Sequence, residues 1–113
     1  MRVLARALIL KGGNSGGATA AVAGGTVAEI ALSGAAITNT NRKKAVIWCT
    51  EDLRCIQTKH KATPILEDNE GNTEYCVVPK NTMIQLEVQV GFDYLQYTTN
   101  TASTGTLYVW YIG

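Results

Sequence analysis

Along most of the chain apolar and polar positions alternate one by one, the period of a strand with one buried face. The run "TMIQLEVQV" (82–90) is the clearest case: Ile84, Leu86, Val88 and Val90 share one face, and Met83, Gln85, Glu87 and Gln89 share the other. "KAVIWCT" (44–50) and "RCIQTKH" (54–60) are further β-rich runs, joined by "EDL". "TEYCVVP" (73–79) stops at Pro79, which has no N–H to give to a ladder. "FDYLQYT" (92–98) and "TLYVWYI" (106–112) flank "TNTASTG" (99–105), where Gly105 and small polar side chains suit a hairpin loop. "TPILEDNEGNTEY" (63–75) reads as a strand pair around Glu70, Gly71 and Asn72, and "TVAEIALS" (26–33) as an edge strand. Seven or eight short strands without an amphipathic helical pattern predict an all-β fold, an antiparallel β-sandwich of jelly-roll type.

One stretch breaks the alternation. "KGGNSGGATAAVAGGTV" (11–27) is built of glycine, alanine and small polar residues, from which a compact domain this small gains little. Ten of the thirteen alanines precede residue 37, whereas all eight aromatic residues lie from Trp48 onward. An aromatic ring buries roughly 150–250 Å², so the core is expected in the later two thirds. Ahead of the small-residue stretch, "VLARALIL" (3–10) is apolar. As a helix it stacks Arg2 and Arg6 one turn apart; as a strand, the preferred reading, it aligns Val3, Ala5, Ala7 and Ile9.

The expected organisation is therefore an N-terminal arm and flexible linker over 1–25 and a β-sandwich domain over 26–113. About fourteen linker residues reach up to roughly 45 Å when extended and about 20 Å as a coil. An apolar peptide on such a tether is suited to strand addition to a neighbour, or to filling a neighbour's groove. Arg2, Val3, Leu4, Arg6, Leu8 and Leu10 are accordingly candidate contacts with an adjacent subunit or shell, the two arginines meeting acidic residues. The alternative is a disordered tail without a role.

The other chemistry is sparse. Ten basic and nine acidic residues leave a net charge of +1, too little to gather a polyanion, so no nucleic-acid partner is expected. Basic "NRKK" (41–44) and "KHK" (59–61) and acidic "EDNEGNTE" (67–74) read as solvated loops, or as complementary patches across a subunit contact. Cys49, Cys55 and Cys76 are expected as reduced thiols; their spacing and a single histidine, His60, do not make a zinc site. His60 has no partner at local spacing and reads as an exposed strand residue. Glu51, Asp52, Glu67, Asp68, Glu70, Glu74 and Asp93 fall mostly in apparent turns, so an enzyme is the least favoured class, and neither a catalytic residue nor a cofactor is assigned. Arg6 and Lys11 interrupt the first apolar run, which argues against a secretory signal. No run approaches the roughly 20 apolar residues of a membrane span, and no membrane partner is expected.

Six aromatic residues, Phe92, Tyr94, Tyr97, Tyr108, Trp110 and Tyr111, crowd into the last two predicted strands. Because adjacent strand residues point to opposite faces, either one ring of the Trp110–Tyr111 pair leaves the core or both faces of the strand are covered. Tyr108, Trp110 and Tyr111 are therefore candidate interface residues, since Tyr and Trp combine area with a polar handle. A carbohydrate-binding surface is the other use of exposed rings.

The order "VAEIALSGAAITNTNRKKAVIWCT", a strand pair, "VPKNTMIQLEV", "FDYLQY" and a closing "LYVWYIG", covering Val27 to Gly113, resembles the small β-sandwich virion proteins of tailed bacteriophages. The resemblance rests on strand order and character. It implies a structural role on the capsid surface of the virion: a decoration or cement protein bound to the major capsid protein, usually a homo-oligomer and often a homotrimer, assembled in the host cytoplasm. A sugar- or receptor-binding β-module of a fibre or spike is the alternative.

Overall fold

The two-residue period does produce strands, and they pair into two antiparallel four-stranded sheets. A computed structural model describes residues 16–32, 44–89, 91–99 and 104–112, with the side chains of all of these except 16–19 and 112. Among the described residues there are eight strands and no helix: β1 (Gly16–Ala23), β2 (Ala28–Ala31), β3 (Lys44–Cys49), β4 (Leu53–Thr58), β5 (Cys76–Val78), β6 (Ile84–Glu87), β7 (Tyr94–Thr99) and β8 (Thr104–Ile112). Sheet I has the order β1-β8-β3-β6 and sheet II the order β2-β7-β4-β5. The antiparallel pairs nest: β4 with β5 innermost in sequence, then β3 with β6, β2 with β7, and β1 with β8 outermost.

This pairing corrects the hairpin expected around "TNTASTG": β7 and β8 belong to different sheets, and "EDL" likewise carries the chain from β3 in sheet I to β4 in sheet II. Alternation reports which face of a strand is buried, not which strand lies beside it, and sequential strands are neighbours only about two-thirds of the time. Gly105 lies within β8 rather than in a loop. A Cβ there would stand 2.6 Å from Thr50 Oγ1 and 2.8 Å from Glu51 Cγ, so glycine lets the turn after β3 close against β8. Thr50 and Thr106 seal that approach, Thr50 N–H donating to Thr106 O at 3.1 Å and Thr106 N–H to Thr50 Oγ1 at 3.0 Å.

The stretch expected as flexible linker is also different. Gly16–Ala23 runs in continuous antiparallel register with β8, from Gly16 opposite Tyr111 to Ala23 opposite Thr104. Glycine and alanine are poor strand formers, but ladder hydrogen bonds and the buried Val22 hold the segment in place. The sandwich thus begins by residue 16. Arg2, Val3, Leu4, Arg6, Leu8 and Leu10 lie outside the described residues. The expected strand pair over 63–75 reduces to one bridge, Glu67 to Thr73, because Asp68 draws the backbone into a turn. Its carboxylate accepts from Glu70 N–H at 2.8 Å and Asn72 N–H at 2.9 Å.

Both sheets feed one core. Val22, Ala45, Ile47, Cys49, Leu107 and Val109 come from sheet I, and Leu53, Cys55, Val78, Leu95 and Tyr97 from sheet II. Val22 and the fully buried Leu32 show that the alanine-rich first third contributes side chains to this core as well.

Candidate functional site

Alternation along β8 decides what its aromatic residues do. Leu107 and Val109 are buried between the sheets, and Tyr111 packs against the same core, its hydroxyl donating to Ala31 O at 3.3 Å. Tyr108 and Trp110 therefore project from the outer face of sheet I. Of the three C-terminal aromatics predicted as interface residues, two share this outer face and Tyr111 does not.

A third ring joins them from β3. Trp48 is directly opposite Tyr108, with ring centroids 4.9 Å apart and planes at 34°. Tyr108 and Trp110 are 6.3 Å apart at 18°. These separations are those of interacting aromatic pairs, so Trp48, Tyr108 and Trp110 form a ladder across the middle of the sheet, each half-buried. Val46, opposite Trp110, is fully buried although it points to the same outer side as Trp48. On the β1 flank the positions opposite Trp110 and Tyr108 are Gly17 and Thr19. On the other flank Lys44 faces Glu87 across β3 and β6, an opposite-charge pair beside the ladder. Sequence reasoning missed Trp48 because nothing local places β3 beside β8.

The outer face of sheet II carries a polar cluster around Glu29. Glu29 of β2 and Gln96 of β7 are opposite one another. Gln96 Nε2 donates to Glu29 Oε2 at 2.7 Å and to Thr58 Oγ1 at 3.2 Å. The chain leaving β4 turns onto this face: Lys61 N–H donates to Glu29 Oε2 at 2.7 Å, and His60 Nδ1 lies 2.6 Å from Glu29 Oε1. His60, expected as an exposed strand residue without a partner at local spacing, is exposed but lies beyond the end of β4, and its carboxylate comes from 31 residues away. Since a carboxylate only accepts, Nδ1 is the nitrogen that carries the proton. Burial alone would raise the Glu29 pKa, but the hydrogen bonds from Gln96, Lys61 and His60 outweigh it and hold the carboxyl below its ordinary value. Gln96 and Thr58 are completely buried, and Gln96 Oε1 has no protein partner.

At one end of the sandwich Gln57, Glu87, Gln89 and Phe92 line a shallow open cavity of about 310 Å³. Gln57 Nε2 bridges Glu87 O and Phe92 O, at 2.6 Å each, and so ties the two sheets there. Among the described residues no group of three or more His, Cys, Asp or Glu is placed to hold a metal ion. No protein-family model, curated protein or solved structure matches this chain.

Proposed function

We propose that the protein is a structural subunit of a bacteriophage virion, a capsid decoration protein that stabilises the shell by binding between capsid subunits through the outer face of sheet I. The observation that carries this reading is the ladder of Trp48, Tyr108 and Trp110, three half-buried rings in successive contact, one pair tilted and one stacked, on the solvent side of a four-stranded sheet. Rings so placed combine contact area with polar tips, the composition of an interface core. The nested strand order supports a jelly roll, an architecture used by viral capsid proteins and lectins. Residues 1–15 extend the proposal: Arg2, Val3, Leu4, Arg6, Leu8 and Leu10 grip a neighbouring subunit or the major capsid protein.

The test is the mass of the purified chain by sedimentation across a concentration series, with Trp48→Ser and Trp110→Ser compared singly and together. A homo-oligomer, expected to be a trimer, should dissociate in the double variant while circular dichroism stays that of a folded sheet. A wild-type monomer at every concentration defeats the self-association part of the reading. One observation favours the alternative, a sugar-binding module: Tyr108 and Trp110, two positions apart on one strand, lie within 18° of parallel and offer successive stacking surfaces. Quenching of tryptophan fluorescence by oligosaccharides, lost in Trp110→Ser, would favour it instead.

A further inference from the structure

β4 and β5 pair in antiparallel register at Leu53 with Val78, Arg54 with Val77, and Cys55 with Cys76. Two cysteines therefore stand directly opposite one another on adjacent strands, with side chains on the same face of the sheet. Opposed residues of an antiparallel pair have Cα atoms about 4.5 or 5.5 Å apart, and both separations fall within the roughly 4.4–6.8 Å that a disulfide spans. Their surroundings differ. Cys55 is buried in the core, whereas Cys76 is exposed on β5, the edge strand of sheet II, and both thiols are free.

We infer that Cys76 and Cys55 form a thiol–disulfide site that accepts a low-molecular-weight disulfide, of which oxidised glutathione is the type, and closes into a cross-strand bond locking edge strand β5 onto β4. In the first step the exposed Cys76 thiolate attacks one sulfur of the small disulfide; that S–S bond breaks, and one glutathione thiolate leaves. Cys55, having released its proton to solvent, then attacks the Cys76 sulfur, and the mixed disulfide breaks to release the second glutathione thiolate. Two protein thiols lose two electrons, and one small disulfide is reduced to two thiols.

The order of steps follows from access and ionisation. Burial pushes the Cys55 thiol up to about 12, with Cys76 and Cys49 adding to the effect. The titratable groups around it are Cys49 of β3, Cys76 of β5 and Tyr97 of β7. Only the thiolate attacks, so the resolving step is slow near neutral pH and speeds up about tenfold per pH unit from 7 to 9.

The experiment uses the full chain incubated with oxidised glutathione, quenched by acid and read by intact mass and non-reducing peptide mapping. The expected course is a transient gain of one glutathionyl group, then a loss of two hydrogens relative to the reduced chain, with the Cys55 and Cys76 peptides linked and Cys49 still free. Cys76→Ser, an exposed and mild change, should abolish both products, and dithiothreitol should restore the original mass. A glutathione adduct on Cys76 that persists at pH 9, or a bond joining Cys49 to Cys55, would overturn the proposal.

Discussion

At the β2 side of sheet II, Glu29, Thr58 and Gln96 point outward, and the chain itself folds over them through His60 and the Lys61 N–H. On sheet I, outward positions of β3 and β8 carry Trp48, Tyr108 and Trp110, whose rings contact one another in succession and stay half-buried. The two kinds of group make different demands. A buried carboxylate or amide must find donors and acceptors at hydrogen-bond distance, or it costs about 1–3 kcal/mol, so the polar face recruits partners from distant parts of its own sequence. Aromatic area makes no such directional demand. It is stabilised by any apolar surface, including another subunit or a sugar ring.

The largest effect is expected at the flank of the aromatic face. Deleting residues 2–25 removes β1, its ladder with β8 and the buried Val22, and should cost at least about 3 kcal/mol in urea unfolding. Deleting 2–15 leaves β1 in place and should change stability by no more than about 0.5 kcal/mol. Equal unfolding midpoints for the two truncations would show that β1 adds nothing to the sandwich.

Next in size is the polar face. Glu29→Ala leaves the Lys61 N–H without its acceptor and Gln96 Nε2 with only the longer bond to Thr58 Oγ1, and a loss of about 2 kcal/mol is expected from chemical unfolding. The pH dependence has a definite sign. Because the folded carboxyl lies below its ordinary value of 4.5, its contribution is present above the unfolded value and is lost as pH falls through the folded one. Wild-type stability should therefore drop below about pH 4.5 more steeply than that of Glu29→Gln. Parallel curves would show that the network does not hold the carboxylate in its charged form.

Trp110→Ala probes the other face and should cost folding less than about 1 kcal/mol, because the ring lies outside the core. Its effect on association should be larger, about 2 kcal/mol or roughly 30-fold. A folding loss of about 3 kcal/mol or more, the range of a core aromatic, would remove the distinction between inner and outer positions of β8. The smallest expected effect is at Tyr111→Phe, which deletes one hydroxyl donating to Ala31 O. About 0.5–1 kcal/mol is expected in thermal or urea unfolding, with no change in oligomeric mass.

The strand positions were legible in the sequence because alternation is a local property. Ile84 and Leu86 turn toward the core as their spacing predicts, Ala28–Ala31 is an edge strand, and Trp110 and Tyr111 diverge because neighbours in a strand must. Local pattern also misled where composition outweighed it. The small residues of Gly16–Ala23 read as linker, yet pairing with β8 makes them a strand. The turn chemistry of Asp68 broke an expected strand pair down to a single bridge.

Which strands meet is a property of the whole fold. The nested pairing sets β3 beside β8, and so Trp48 against Tyr108, although sixty positions separate them in the chain. It also brings Glu29 to His60 and Gln96, and Cys55 opposite Cys76. The physical reason is that a two-residue period is satisfied by any partner strand of suitable face. The choice among partners is made by burial, hydrogen-bond satisfaction and sheet crossing over the whole chain, which no short window of residues contains. Local alternation makes this protein a set of strands with one apolar side; the pairing of those strands sets which side chains stand together.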